Sequence, residues 1–297
     1  MDSRLQRRVQ RYGWDRAVEH YEEHWLARLA PATGRVLELA ELRPGERVLD
    51  VAGGTGVLAI AAAAKVGRSG LVIGTDISEK MVEAARAAAA ALNLSNCRFE
   101  RGDAETLPDF GTRFDVGLCG LGLMYMPEPE RALATLAGAL VPGGRVVVSV
   151  WGPRKHCGWA DIFPIVDARV QSEVCPMFFR LGAAGQLARA LEVAGLAQVR
   201  TESLSVTLDY ESADEAADAA FLGGPVALAY AHFDAATRAA VREEYRRSIA
   251  GFRCGSGYAV PGEFVIGYGV NPAGDRHSCS DLDILTNHAP LIEGAIK

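Results

Sequence analysis

Apolar positions follow a helical period at the start of the chain and change, after residue 46, to short apolar blocks separated by helical ones. The first stretch predicts a helix over residues 3–30. Its recurring apolar and aromatic positions are Val9, Tyr12, Val18, Tyr21, Trp25 and Leu29. Pro31 and Gly34 then predict a break, followed by a short helix over residues 35–42.

The middle of the chain alternates strand-like and helical segments. Predicted helices lie between the apolar runs, and Ser78 is a suitable N-cap for one of them. Strands separated by helices indicate parallel pairing with right-handed crossovers, and nearly all-apolar strands indicate a sheet covered on both faces. The predicted strands are residues 47–51, 71–76, 97–101, 114–119 and 145–151.

The alternation becomes irregular after Trp151. Further elements are predicted as a helix at 184–194, strands at 198–208 and 263–268, and helical sequence over 212–250. We interpret residues 152–180 and 212–255 as cap segments over the carboxyl ends of the strands. Residues 270–297 show no clear period and form a tail without a functional interpretation.

Composition indicates a soluble globular protein. The chain has 297 residues, of which 49% are hydrophobic and 23% charged, and its net charge of −6 argues against a nucleic-acid partner. An N-terminal arginine cluster reads as the solvated face of a helix. No apolar run reaches the roughly 18 residues of a membrane span, and no signal peptide is recognisable, so a cytoplasmic location is expected. Six cysteines without a Cys-x-x-Cys pair predict neither a disulfide scaffold nor a zinc ribbon.

The most informative stretch is Arg47-Val48-Leu49-Asp50-Val51-Ala52-Gly53-Gly54-Thr55-Gly56, a strand that ends in a glycine-rich turn. The turn fits G-x-G-x-x-A, and Asp76 lies 20 residues beyond Gly56, so an NAD(P)-binding oxidoreductase is one interpretation. Asp50 argues against it, because a carboxylate beside the turn repels a pyrophosphate and attracts an ammonium group.

Two further turns favour a ligand without phosphates. An acid in Gly102-Asp103-Ala104-Glu105 can accept a hydrogen bond from an adenine amino group, although such an acid also caps turns structurally. Leu140-Val141-Pro142-Gly143-Gly144-Arg145 tightly links a helix to the next strand.

In this order, the motifs resemble class I S-adenosylmethionine-dependent methyltransferases. The matching runs also include Gly74-Thr75-Asp76-Ile77-Ser78 and Phe114-Asp115-Val116. Gly120-Leu121-Gly122-Leu123-Met124-Tyr125-Met126-Pro127 is similar to the small-molecule branch, which includes the ubiquinone/menaquinone-type enzymes.

The resemblance implies an α/β, Rossmann-like fold. Its sheet is seven-stranded and mostly parallel, with the last strand antiparallel and with helical cap segments. It implies an N-terminal helical lid at 1–46 and a methyltransferase domain at 47–269. It also implies transfer of a methyl group from S-adenosylmethionine to a small apolar or aromatic O, C or N acceptor by in-line displacement. A non-catalytic S-adenosylmethionine binder is a further alternative. The oligomeric state stays open.

The resemblance also assigns residues to the donor. Asp76 would hold the ribose hydroxyls, Asp103 and Ala104 the adenine edge, and Gly120 and Leu121 would face the sulfonium. The other cofactor-binding residues are Tyr21, Asp50, Ala52, Gly53, Gly54, Gly56, Ile77 and Met81. Ala52 departs from the family, which usually has glycine there, but it is small enough for binding to survive.

Candidates for a base or an acceptor contact are His156, Tyr125 and His20. An apolar acceptor site is predicted to include Trp159, Phe163, Phe178 and Phe179. His20 and His24 share a helix face but do not match His-Glu-x-x-His, so no metal site is expected.

Overall fold

The computed structural model describes residues 3–171, 175 and 177–272. Their chain begins with helix α1 (Ser3–Ala40) and then alternates strands with helices as far as β5. These elements are β1 (Arg47–Val51), α2 (Val57–Val66), β2 (Leu71–Asp76), α3 (Glu79–Ala91), β3 (Cys97–Arg101), β4 (Phe114–Gly120), α4 (Pro129–Gly138) and β5 (Leu140–Trp151).

The second half of the chain adds short helices and two long strands. It contains α5 (Ile162–Asp167), α6 (Gln186–Val193), β6 (Ala197–Tyr210), α7 (Ala213–Phe221), α8 (Ala227–His232), α9 (Ala235–Ser248), β7 (Arg253–Cys254) and β8 (Gly257–Val270). The predicted cap segments thus contain α5 and α7–α9. From residue 273 onward the predicted tail lies outside the described residues.

One mixed sheet organises the molecule in the strand order β3-β2-β1-β4-β5-β8-β6, with β7 paired to β8. The first five strands are parallel, and β8 runs antiparallel to both β5 and β6. The predicted Rossmann-like sheet with an antiparallel last strand is confirmed. The short β7 was not predicted, because two residues carry no periodic signal.

Burial follows the layers of the sheet. In β1 every residue after Arg47 is buried, as in a central strand with helices on both faces. In β6 exposed positions alternate with less exposed ones, as in an edge strand with one solvated face. Ser78 is the N-cap of α3, and its Oγ accepts a hydrogen bond from the Met81 amide at 3.1 Å, as its sequence position predicts.

The predicted break in the N-terminal helix was wrong, because α1 continues through Pro31 and Gly34. A proline inside a helix removes one hydrogen bond and disfavours the conformation by about 3 kcal/mol. The apolar stripe of α1 nevertheless continues on both sides of Pro31, with Leu29, Ala32 and Val36 buried in the core. Burial of this stripe overrides the local signal.

Candidate active site

A cavity with about 1020 Å³ of empty space, part of it open to solvent, lies at the carboxyl ends of the parallel strands. Its walls come from the turns after β1 to β5, from α1, and from the segment between α7 and α8. One end is lined by carboxylates and backbone, the other by indole rings. The sheet reverses its strand order between β1 and β4, and α/β folds bind ligands in the crevice at such a reversal.

The glycine turn between β1 and α2 has an unusual backbone. Ala52, Gly54 and Gly56 have φ values of 52°, 56° and 87°. A Cβ on Gly56 would lie 2.7 Å from the Phe99 ring, so this position requires glycine for both conformation and space. Ala52 and Gly54 line the cavity. Gly53 borders an adjoining cavity of about 470 Å³, whereas Gly56 lines neither.

Asp76 joins the glycine turn to the start of α3. Its Oδ2 accepts a hydrogen bond from the Gly54 amide at 3.0 Å, and its Oδ1 accepts one from the Ser78 amide at 2.9 Å. Burial raises the pKa of Asp76 to about 6. Ile77 and Met81 line the cavity beside it. The carboxylate is therefore held at the cavity wall by two backbone donors.

Asp50 lies beneath the glycine turn rather than on the cavity surface. It is fully buried, and no hydrogen bond of ordinary geometry reaches its carboxylate within the described residues, although the backbone amide of Ala59 lowers its pKa. Burial, together with the charge of Asp76, raises the pKa of Asp50 to about 8. The structure therefore does not bring this predicted cofactor residue into contact with the cavity.

Asp103 and Ala104 line the cavity in the turn after β3, as predicted. Asp103 Oδ1 accepts a hydrogen bond from the Glu105 amide at 2.9 Å, and its Oδ2 lies 3.2 Å from Arg7 Nε of α1. Arg7 Nε also donates to Glu105 Oε2 at 2.6 Å. Sequence reasoning missed Arg7, because one arginine of a basic cluster gives no signal that it bridges to a distant turn.

The turn after β4 forms the floor of the cavity. Gly120, Leu121 and Tyr125 line it, as predicted. Leu121 has a φ of 58°, and its amide donates to the backbone oxygen of Ser149 at 3.0 Å. A Cβ on Gly122 would lie 2.6 Å from the Ala52 Cβ. The turns after β1 and β4 thus meet at the point where the strand order reverses.

Aromatic rings from distant parts of the chain form the other end. Trp25, Trp151 and Trp159 line it, with Trp151 and Trp159 ring centroids 4.8 Å apart. Trp14 also lines the cavity and packs edge-on to Tyr125, with ring centroids 5.0 Å apart. Of the predicted aromatic wall, Trp159 lines the cavity. Phe163 and Phe178 are buried in the core behind it, and Phe179 packs against that core.

Tyr21 and Tyr125 are the two phenols among the described residues that line the cavity. Burial raises the pKa of both phenols. Both therefore stay protonated near neutral pH, where they can donate hydrogen bonds but act poorly as bases.

The structure does not bring the two predicted histidines to this cavity. His156 lies in a half-exposed turn after β5, and its Nδ1 is 3.0 Å from Glu263 Oε2. His20 borders a separate cavity of about 430 Å³ beside α7 and α8. Tyr21 faces the active-site cavity, and successive helical side chains diverge by about 100°. His20 therefore points elsewhere.

Comparisons with known proteins agree with this geometry. Residues 42–170 match the methyltransferase domain family. The ubiquinone/menaquinone biosynthesis C-methyltransferase UbiE of Ectopseudomonas mendocina is 40% identical over 113 residues, 38% of this chain. The chain spans 44% of the length of that relative, less than half.

A longer match decides the family. Nocamycin O-methyltransferase of Saccharothrix syringae is 31% identical over 201 residues, covering 63% of this chain and 72% of the relative. The chain belongs to the class I S-adenosylmethionine-dependent methyltransferases. S-adenosylmethionine is therefore its cofactor, and its curated relatives act on small molecules.

A solved methyltransferase shares the fold. Phosphoethanolamine N-methyltransferase 2 of Haemonchus contortus, in complex with S-adenosyl-L-methionine, has a TM-score of 0.56 at 15% identity. The likeness covers 87% of this chain and 57% of that one. Within residues 3–171, 175 and 177–272 of this methyltransferase, no helix combines the length and apolar character that a membrane span requires.

Proposed function

We propose that the chain transfers a methyl group from S-adenosylmethionine to a small acceptor with an apolar or aromatic body, at an oxygen, carbon or nitrogen atom. One observation carries the proposal. A single cavity joins a carboxylate-lined and backbone-lined end to an end walled by indole rings. Such a cavity accommodates a polar donor and an apolar acceptor side by side.

The donor fits the polar end. Asp76 offers carboxylate lone pairs at the cavity wall, which suits the two ribose hydroxyls. Asp103 and Ala104 provide acceptor and apolar contacts for the adenine edge, with Ile77 and Met81 packing nearby. The methionine part would lie along Gly54, Gly120, Leu121 and Tyr21, which border the cavity between the two turns.

The chemistry requires alignment more than proton transfer. When bound, S-adenosylmethionine supplies an activated methyl group on a sulfonium sulfur. The chain contributes by holding the acceptor atom in line and by excluding water, and such positioning can supply much of the rate. Tyr125, protonated and at the aromatic end, is our candidate for orienting an acceptor oxygen by hydrogen bonding.

The relatives support a small-molecule acceptor. UbiE is a C-methyltransferase of quinone biosynthesis, whereas the nocamycin enzyme is an O-methyltransferase. Their names point to different acceptor atoms, so they support the class of acceptor rather than the atom. The indole-lined wall favours planar, mainly apolar acceptors, because aromatic rings pack well against indole faces.

Two measurements test the proposal. Calorimetric titration with S-adenosylmethionine is expected to show binding, while NADH is expected to give no heat. Quinols, phenols and polyketide-like aromatics are then incubated with the protein and the donor. Expected products are S-adenosylhomocysteine and an acceptor that is heavier by one methylene, detected by mass spectrometry.

Each failure has a distinct meaning. Donor binding without product for any acceptor would favour a non-catalytic binder. NADH binding without donor binding would overturn the assignment and favour the oxidoreductase alternative. The Asp76→Asn variant tests the donor site, because it keeps the size of the side chain and removes its charge.

A further inference from the structure

One turn of α1 carries three metal-ligating side chains beside the cavity. The donor atoms of His20, Glu23 and His24 lie within 4.8 Å of one another. The two imidazole rings are nearly parallel, at 23°, with centroids 6.1 Å apart. Spacings of three and four residues place side chains on one helix face. The backbone of α1 therefore already gathers the donors.

The order of these residues is itself informative. His20-Tyr21-Glu22-Glu23-His24 reads His-x-x-Glu-His, the reverse of His-Glu-x-x-His. The reversed order also occurs in zinc enzymes, where the histidines are four residues apart on one helix. A search for His-Glu-x-x-His alone excludes this segment. The structure shows that the Glu23 carboxylate lies close to both imidazoles.

We propose that His20, His24 and Glu23 form a binding site for one divalent transition-metal ion of the Zn²⁺ class. Two imidazoles and a carboxylate are a donor set that zinc accepts, with a fourth position left for water. With bonds of about 2.0–2.1 Å, donors on one tetrahedral zinc lie about 3.3 Å apart. Glu23 is exposed and His20 half-buried, so rotamer changes in these two side chains can close the remaining gap.

Charged and titratable neighbours surround His24. Glu23 and Asp218 of α7 carry negative charge, Arg28 carries positive charge, and His20 is the second imidazole. His24 is 8% exposed, so its ring is held by packing and serves as the fixed donor.

The site adjoins the wall of the active-site cavity. Tyr21 and Trp25, on the same turn of α1, line the cavity. Trp25 Nε1 donates to the Ala219 backbone oxygen at 3.1 Å, and a Cβ on Gly223 would lie 3.1 Å from the His20 backbone oxygen. A metal ion bound by His20 and His24 would therefore stabilise the turn of α1 that lines the cavity. This inference does not depend on the proposed methyl transfer.

The test uses the full chain after treatment with a chelator. Zinc chloride is titrated calorimetrically, and cobalt chloride is added as an optical probe of tetrahedral sites. We expect one equivalent of metal and visible cobalt bands. His20→Ala and Glu23→Gln should each weaken binding by at least about tenfold, since even outer-shell partners cost 10–100-fold. His232→Ala should bind as the wild type does, because the His232 ring is exposed and its Nδ1 lies 2.8 Å from the Leu228 backbone oxygen of its own helix.

Circular dichroism and thermal unfolding verify that each variant is folded. His20→Ala and Glu23→Gln alter side chains outside the core, so the test does not rely on the buried His24. Zinc is expected to raise the melting temperature of the wild type and of His232→Ala but not of His20→Ala. Wild-type protein that binds neither zinc nor cobalt would overturn the proposal. So would unchanged affinity in the His20→Ala/His24→Ala double variant.

Discussion

Two neighbouring carboxyl groups at the end of the first two strands have different surroundings. Asp76 accepts hydrogen bonds from two backbone amides and lines the cavity, whereas Asp50 is fully buried beneath the glycine turn and has only the more weakly placed Ala59 amide to favour its charge. This contrast explains why burial moves the pKa of Asp50 further, to about 8, than that of Asp76, to about 6. Each group makes a separate prediction.

Asp76→Asn is expected to weaken S-adenosylmethionine binding by about 1–3 kcal/mol, roughly fivefold to more than a hundredfold. The amide removes charged acceptors for the ribose hydroxyls. Wild-type affinity should also fall as the pH drops below about 6, because protonated Asp76 loses acceptor capacity. Calorimetry from pH 5 to 8 measures both effects. A pH-independent wild-type affinity would contradict the assignment.

Asp50→Asn is expected to flatten the pH dependence of stability. The folded state keeps the Asp50 proton up to a pKa of about 8, whereas the unfolded state releases it near its ordinary value of 3.8. Wild-type stability should therefore fall as the pH rises between about 4 and 8, by up to about 1.4 kcal/mol per unit from this group. Denaturant unfolding at several pH values measures the slope. Asp209→Asn, at an exposed position, should keep the wild-type slope.

Ala52→Gly is expected to stabilise the fold by up to about 1 kcal/mol. Ala52 has a φ of 52°, a conformation that disfavours an L-residue by about 1–2 kcal/mol, partly offset by the greater entropy glycine loses on folding. The same substitution at exposed Ala64 inside α2 should instead destabilise by about 1 kcal/mol. Denaturant unfolding of the two variants should give opposite signs, and destabilisation by both would contradict the argument.

At the level of elements, α1 is fastened to the donor end of the cavity at two places. Arg7 pairs with Asp103 and Glu105 in the turn after β3. Asp15 Oδ1 accepts a hydrogen bond at 2.6 Å from Ser78 Oγ, the N-cap of α3. The interpretation of residues 1–46 as a lid stays a prediction, and these contacts are the ones that such a lid would release.

Arg7→Gln is expected to lower the unfolding free energy by about 2–3 kcal/mol and to weaken donor binding about tenfold. The Glu105 side chain is 1% exposed, and losing its guanidinium partner leaves a buried charge poorly compensated. Arg8→Gln, at an exposed position one residue later, should change neither property. Equal behaviour of the two variants would show that the ion pairs of Arg7 support neither the fold nor donor binding.

The sheet was predictable from sequence because its buried strands appear as apolar runs between residues that favour turns. The donor turns were predictable because a left-handed backbone requires glycine or a small residue at fixed positions, as at Gly54 and Gly56. The acceptor end was not, because Trp25 of α1 and Trp151 of β5 reach one wall from elements far apart in sequence. Arg7 was missed for the same reason, because its partner Glu105 lies 98 positions away.

At the scale of the whole molecule, the cavity joins segments of the chain that are far apart in sequence. Residues of α1 line it together with Gly223, Gly224 and Pro225, which lie roughly 200 positions later. A ligand that contacts both parts binds the folded state alone and shifts the folding equilibrium by mass action.

S-adenosylmethionine at 100 times its dissociation constant is expected to stabilise the fold by about 2.7 kcal/mol, raising the melting temperature by about 5–10 °C. Hydrogen exchange should slow in α1 and around residues 223–225. Asp76→Asn at the same donor concentration should show a smaller shift. An unchanged melting temperature in the wild type would mean that the donor does not bind this cavity.

The antiparallel pairing of β5 with β8 also provides a site for attaching the protein to a surface. Arg145 pairs with Val270 toward the amino end of β5. Trp151 pairs with Phe264 at the carboxyl end of β5, where the cavity lies. Six residues of strand separate these positions, about 20 Å. Asn271 lies at the end of the strands opposite the cavity, where its backbone amide donates a hydrogen bond to the Gly144 backbone oxygen at 2.7 Å. A rigid support attached near Asn271 would hold the molecule by the end of the sheet opposite the cavity. The cavity would then face the surrounding solution.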